Sequence, residues 1–109
     1  MKAVIRNIET TRWDSFSFDF KLNNAAAELV QARCTVKKNP SDSQPVLLLD
    51  LDNGITALPD GVYRVEFKKN VIKKEMNGYY YDLELDIGSS RYTPLKGQIV
   101  AEWGATNEY

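Results

Sequence analysis

The chain has 109 residues, of which 43% are hydrophobic, and its 14 basic and 15 acidic side chains give a net charge of −1. This size suits one domain, and the balanced charge gives no general attraction to nucleic acid or to an anionic membrane. The sequence has no histidine, which excludes the commonest general base and zinc ligand, and its single cysteine excludes an intramolecular disulfide. It contains no signal-peptide pattern and no apolar run of membrane-spanning length, so we expect a protein made in a reducing cytoplasm, without a cofactor.

Alternating apolar and polar residues predict a series of half-buried strands. In chain order, the candidate segments are 2–9, 13–22, 29–37, 46–51, 62–68, 79–87 and 95–103. Along segment 29–37, the predicted inward-facing set begins at Val30. Segment 46–51 is almost continuously apolar, which is typical of a strand covered on both faces.

Turn sequences rich in glycine and asparagine separate these segments, as at Asn53-Gly54, Asp60-Gly61 and Asn77-Gly78. Segments 23–28 and 70–76 have helical character, but both are too short for the crossover of a parallel β-α-β unit. A turn about every ten residues therefore predicts an antiparallel sandwich or barrel. We expect a single domain over residues 1–109, with 105–109 as a flexible tail.

Three carboxylates are predicted on one face of segment 79–87, those of Asp82, Glu84 and Asp86. Neighbours on a strand face lie about 7 Å apart, a spacing that overlaps the carboxyl separation in glycosidases. A solvated strand face produces the same alternation, and we favour it because the sequence gives no sign of a cleft. Asp50–Gly54 resembles the start of a calcium loop, but its glycine comes one place early, so we expect a turn and no metal site.

Exposed aromatic and basic side chains are the candidate binding residues. Tyr80 and Tyr92 are predicted outside the core, where they could stack on a sugar or anchor a protein interface beside Asp82. Lys73 and Lys74 belong to a local basic cluster, which predicts either a solvated loop or a contact with an acidic neighbouring subunit.

Five short motifs follow one another along the chain: WDSFSF at 13–18, ARCTVKK at 32–38, DNGIT at 52–56, GYYYDLEL at 78–85 and YTPLKGQIV at 92–100. In this order they resemble the small immunoglobulin-like β domains of bacteriophage and prophage tails. The closest similarity is to the N-terminal domain of upper baseplate proteins. The sequence departs from the family pattern at 27–30, where Ala-Glu-Leu-Val replaces an Asp-Leu-Thr-Gly turn.

The resemblance implies an all-β protein, an antiparallel immunoglobulin-like β-sandwich of about seven to eight strands. It also implies a non-catalytic assembly role in the virion tail or baseplate, with other tail proteins or further copies of the chain as partners. No nucleic-acid or membrane partner is expected.

Two hypotheses of other classes stay open. A carbohydrate-binding or adhesin-like module would use Tyr80 and Tyr92 for stacking on a sugar, beside Asp82 or Asp86 for hydrogen bonds. A small enzyme using the carboxylate face would need a deep pocket holding a carboxylate with a perturbed pKa.

Overall fold

The computed structural model describes residues 4–5, 8–11, 15–22, 29–68 and 71–102. Within them, nine strands are formed: β1 Val4–Ile5, β2 Ile8–Thr11, β3 Phe16–Lys21, β4 Leu29–Lys37, β5 Leu47–Asp50, β6 Ile55–Ala57, β7 Val62–Phe67, β8 Tyr80–Ile87 and β9 Ser90–Glu102. Short 3₁₀ turns occupy Pro59–Gly61 and Lys74–Met76, the second within the segment predicted to have helical character. The predicted helical segment 23–28 and the predicted tail 105–109 lie outside the described residues.

The strands form two sheets whose order is that of the immunoglobulin fold. The larger sheet has the order β1-β9-β8-β4-β5, with β2 also paired to β9, and the smaller has the order β3-β7-β6. In immunoglobulin terms, β3, β7 and β6 occupy the places of strands B, E and D, and β4, β8 and β9 those of C, F and G. The all-β sandwich expected from the sequence is therefore confirmed.

The N-terminal strands differ from the antiparallel expectation, because β1 and β2 both pair parallel with β9. Parallel neighbours need a long connection, and nearly the whole domain lies between β2 and β9 in the chain. The strand number is also higher than predicted. In place of one strand at 2–9 there are two short strands, the second of which continues to Thr11. In addition, β6 has only three residues, too few to show an alternating pattern.

One face of each sheet supplies the core, as the alternation of residues along the strands predicts. The buried side chains include alternate residues of β4, β7 and β8, namely Ala32, Cys34, Val36, Val65, Phe67, Tyr81, Leu83 and Leu85. Within the smaller sheet, the ring of Phe67 packs edge-on against that of its cross-strand partner Phe16, with centroids 6.2 Å apart. Each large apolar side chain buried in this way contributes about 1.5–3 kcal/mol to the free energy of unfolding.

Val30 departs from the predicted pattern of β4, because its side chain is 64% exposed. The register between β4 and β8 shifts between Leu29 and Gln31. Such an irregularity reorients the residues beside it, so the alternation that holds from Ala32 to Val36 does not extend back to Val30. The prediction that Val30 faces inwards is wrong.

The apolar run at 46–51 forms the edge strand β5, not a strand covered on both faces. β5 pairs with β4 and ends the larger sheet. Leu49 packs into the core, whereas Leu48, directed to the opposite face, is 41% exposed. The prediction of two covered faces is wrong because an apolar run does not reveal whether a second layer lies over its outer face.

The last strand, β9, begins at Ser90, five residues earlier than predicted, and continues through Pro94. The pairing of β8 with β9 shifts register between Leu83 and Leu85, opposite this part of β9. Proline has no amide hydrogen to donate and is tolerated in a sheet at such irregularities. The shift therefore lets one strand run through Pro94 to Glu102.

Gly54 is the position where we expect a methyl group to be most damaging. Its φ is +98°, and a Cβ atom there would lie 2.6 Å from Cδ2 of Leu49. Gly54→Ala should lower the free energy of unfolding by about 2–3 kcal/mol, measured by urea unfolding. Gly88→Ala is the matched control, because Gly88 also has positive φ but faces open space. If the two variants lost equal amounts of unfolding free energy, the close approach to Leu49 would not be the cause of the destabilisation.

Cys34 is predicted to be unreactive in the folded protein. Its side chain is fully buried, and burial raises the pKa of the thiol to about 12. Because the thiolate is the reactive form, Ellman's reagent should not label the native protein at mildly alkaline pH, but should label it promptly in guanidinium chloride. Rapid labelling of the native protein would contradict this prediction.

Candidate functional site

The candidate site is the outer face of the larger sheet, where β8 lies between β4 and β9. Buried residues alternate along β8, so the residues between them all face outwards: Tyr80, Asp82, Glu84 and Asp86. Strand register places Thr35 of β4 and Lys96 of β9 on either side of Asp82. The predicted row of three carboxylates is therefore present.

Two arginines neutralise the carboxylates at one end of this row. Arg33 donates hydrogen bonds from Nη2 to Oε1 of Glu84 at 2.9 Å and to Oδ2 of Asp86 at 2.8 Å. Arg91 donates from Nε to Oδ1 of Asp86 at 2.7 Å. The hydrogen bond from Arg91, followed by that from Arg33, lowers the pKa of Asp86 to about 2. Asp86 therefore stays ionised and is unsuited to donating a proton.

A cleft of about 410 Å³ opens at the other end of the row. It is lined by Thr35, Lys37, Pro40, Tyr80, Tyr81, Asp82, Lys96, Gly97 and Gln98. Tyr80 is 39% exposed. The cleft thus contains two of the residues named in the saccharide hypothesis, Tyr80 and Asp82.

Asp82 has a different environment from Asp86. Its side chain is half-buried, and this burial, followed by the negative charge of Glu84, raises the pKa of the carboxyl group. The positive charges of Lys37 and Lys96 act in the opposite direction. Asp82 is therefore a shielded hydrogen-bond acceptor with two cations nearby.

The remaining predicted binding residues do not line this cleft. Tyr92 lies beyond the register shift, opposite Leu85 of β8. Lys73 is exposed beside a separate depression that is also lined by Val46 and Met76. Lys74 begins the 3₁₀ turn, and its side chain is not among those described.

Sequence reasoning did not identify the cationic and amide side chains of the cleft, Lys37, Lys96 and Gln98. Lys37 and Lys96 are at outward positions of their strands, which the alternation could have shown. Their position beside Tyr80 and Asp82 depends on strand register, which no local pattern reveals. The same applies to Arg33 and Arg91, which meet their carboxylates only through sheet pairing.

Among the residues with described positions, no three histidine, cysteine, aspartate or glutamate side chains are grouped as metal ligands. That part of the chain also has no helix long and apolar enough to cross a membrane. No protein-family model matches the chain, and no curated protein is significantly similar to it.

Replacement of Asp86 should change how the free energy of unfolding depends on pH under acidic conditions. A carboxylate with a lowered pKa in the folded state stabilises the fold above its unfolded pKa of about 3.9, and this contribution is lost as the pH falls towards the folded value. Because that folded value is about 2, wild type should be more stable than Asp86→Asn near neutral pH. The difference in free energy of unfolding between the two proteins should shrink as the pH falls from the unfolded pKa of about 3.9 towards the folded value of about 2.

Urea unfolding at several pH values measures this difference. Asp52→Asn is the control, because Asp52 is an exposed carboxylate in the turn after β5. A stability difference between wild type and Asp86→Asn that does not change with pH would contradict the proposed ion pairs.

Proposed function

We propose that this chain is a non-catalytic assembly module of a bacteriophage or prophage tail or baseplate, which docks through the edge strand β5. The observation that carries the proposal is the exposure of apolar side chains along this edge, 53% for Val46 and 41% for Leu48. An edge strand presents unpaired backbone groups with which another chain can form a continuous sheet. The assignment to a virion tail rests on the resemblance of the five sequence motifs.

The edge at β5 has little of the protection that natural sheet edges usually carry. Residues 46–49 are Val-Leu-Leu-Leu and include no charge, although Pro45 limits the length that can pair. By contrast, the edge strand β3 of the smaller sheet carries exposed Asp19 and Lys21. Since charged residues on an edge discourage pairing, β5 is the better docking strand of the two.

A second copy of this chain is the partner that we propose for β5. Two copies related by a two-fold axis would bring the same strands together in antiparallel pairing. The uncharged segment 46–49 would then face itself without the repulsion that opposed like charges cause. Such pairing would join two larger sheets into one.

The ion pairs of β8 favour a binding role over catalysis. Arg33 and Arg91 engage Glu84 and Asp86, leaving Asp82 as the carboxylate that lines the cleft. A glycosidase of the usual kind needs one carboxyl group that donates a proton and a second that acts as base or nucleophile. An assembly module needs neither.

Light scattering across a concentration series tests docking through β5. We expect the mass of the wild-type protein to rise with concentration from that of a monomer towards that of a dimer. Leu48→Lys should remain a monomer, because it would place like charges close together on the paired edges.

Val30→Lys is the matched control, since Val30 is an exposed apolar residue of β4 outside the segment paired with β5. The mass of Val30→Lys should rise with concentration in the same way as that of the wild-type protein. A wild-type protein that is monomeric at every concentration would contradict the proposed self-association, as would unchanged association of Leu48→Lys.

A second candidate function is saccharide binding in the cleft. The observation in its favour is that Tyr80 and Asp82 line one cleft, so an aromatic ring and a hydrogen-bond acceptor face the same space. Binding sites for small molecules combine apolar or aromatic walls with a few polar groups in this way. Titration with defined sugars, followed by NMR at Tyr80 and Asp82, tests this function.

A further inference from the structure

We propose that the cleft beside Tyr80 and Asp82 binds a saccharide unit that carries a carboxylate, of the hexuronate class. This inference rests on the second candidate function and specifies its ligand. The cleft volume of about 410 Å³ lies within the range of roughly 300–1,000 Å³ that is usual for small-molecule sites.

The charges in the cleft favour an anion with a single negative charge. Lys37 reaches the cleft from β4 and Lys96 from β9, on opposite sides of β8, whereas Asp82 provides one carboxylate between them. Two ammonium groups and one carboxylate leave one positive charge in excess. Glu84, the next carboxylate along β8, is bound by Arg33 and so does not cancel that excess.

Asp82 adds a preference for a hydroxylated ligand. Because its side chain is half-buried, its carboxylate has lost part of its hydration, and a hydrogen bond donated by a ligand hydroxyl would replace it. The negative charge of Asp82 would also oppose a ligand with two negative charges, such as a phosphate monoester. These two effects together favour a carboxylate sugar over a phosphate.

Tyr80 supplies an aromatic wall. Its ring is partly exposed in the cleft and could pack against the C–H face of a pyranose ring. Nearby, the side chain of Gln98 is oriented by a hydrogen bond of 3.1 Å from its Nε2 to the carbonyl oxygen of Gly78. A hexuronate has the three features that the cleft would recognise: a carboxylate, hydroxyl groups and an apolar ring face.

The test is an NMR titration of the isotope-labelled protein at neutral pH with glucuronate, glucose and acetate. With glucuronate, we expect saturable shifts at Tyr80, Asp82 and Lys96 in the millimolar range. Glucose and acetate should each bind at least about threefold more weakly, because each lacks part of the recognised chemistry. Lys96→Gln should weaken glucuronate binding by about threefold to tenfold.

Lys73→Gln is the matched control, because it removes an exposed lysine that does not line this cleft, and it should leave the affinity unchanged. Equal binding of glucose and glucuronate would overturn the hexuronate inference while supporting saccharide binding. Acetate binding as tight as that of glucuronate would overturn the hexuronate inference by indicating a simple anion site. The lack of saturable shifts with either sugar would overturn both the hexuronate inference and the proposed saccharide binding.

Discussion

The pairing of β8 with β4 on one side and β9 on the other is the constraint on which the rest of the structure depends. Because side chains on a strand alternate between faces, every residue of β8 is assigned either to the core or to the outer face. Leu83 and Leu85 are almost completely buried, and Glu84 between them is held by Arg33. A change of register by one residue would place carboxylates in the core and leucines in water. The core and the outer face are therefore determined together.

The same strand gives its carboxylates different chemical environments. Asp86 accepts hydrogen bonds from two arginines at one end, and its pKa is lowered, whereas burial at the other end raises the pKa of Asp82. The arginine-bound end is an ordered ionic surface with its charges matched. The other end keeps an excess of positive charge beside an aromatic ring. One face thus has a neutralised part and a part at which we propose that a ligand binds.

A single row of directly paired residues on adjacent strands connects the proposed docking edge with the cleft. Strand register aligns Leu48 of β5 with Thr35, Thr35 with Asp82, and Asp82 with Lys96. Thr35 lines the cleft and is the direct neighbour of exposed Leu48. A strand added beside β5 would therefore lie close to the cleft. In an assembly formed through that edge, the proposed saccharide sites would lie at fixed positions relative to the contact.

Local pattern was sufficient for much of the fold. The alternation in 29–37 and 79–87 located β4 and β8 to within a residue, because a half-buried strand requires that pattern whatever its neighbours are. Composition, without histidine and with one cysteine, also limited the chemistry available. The motif order pointed to the immunoglobulin-like arrangement, and Tyr80 and Asp82 were identified from their outward positions alone.

Some features depend on which strands are neighbours, and only the tertiary structure decided these. The exposure of Val30 follows from a register shift, and that of Leu48 follows from the place of β5 at the end of the sheet. The approach of Lys37 and Lys96 to Asp82 from separate strands also depends on pairing. Strand order and register arise from contacts between residues far apart in the chain, whereas alternation is a property of each segment. The sequence by itself therefore determined which residues face outwards, and only the folded sheet decided which of them meet.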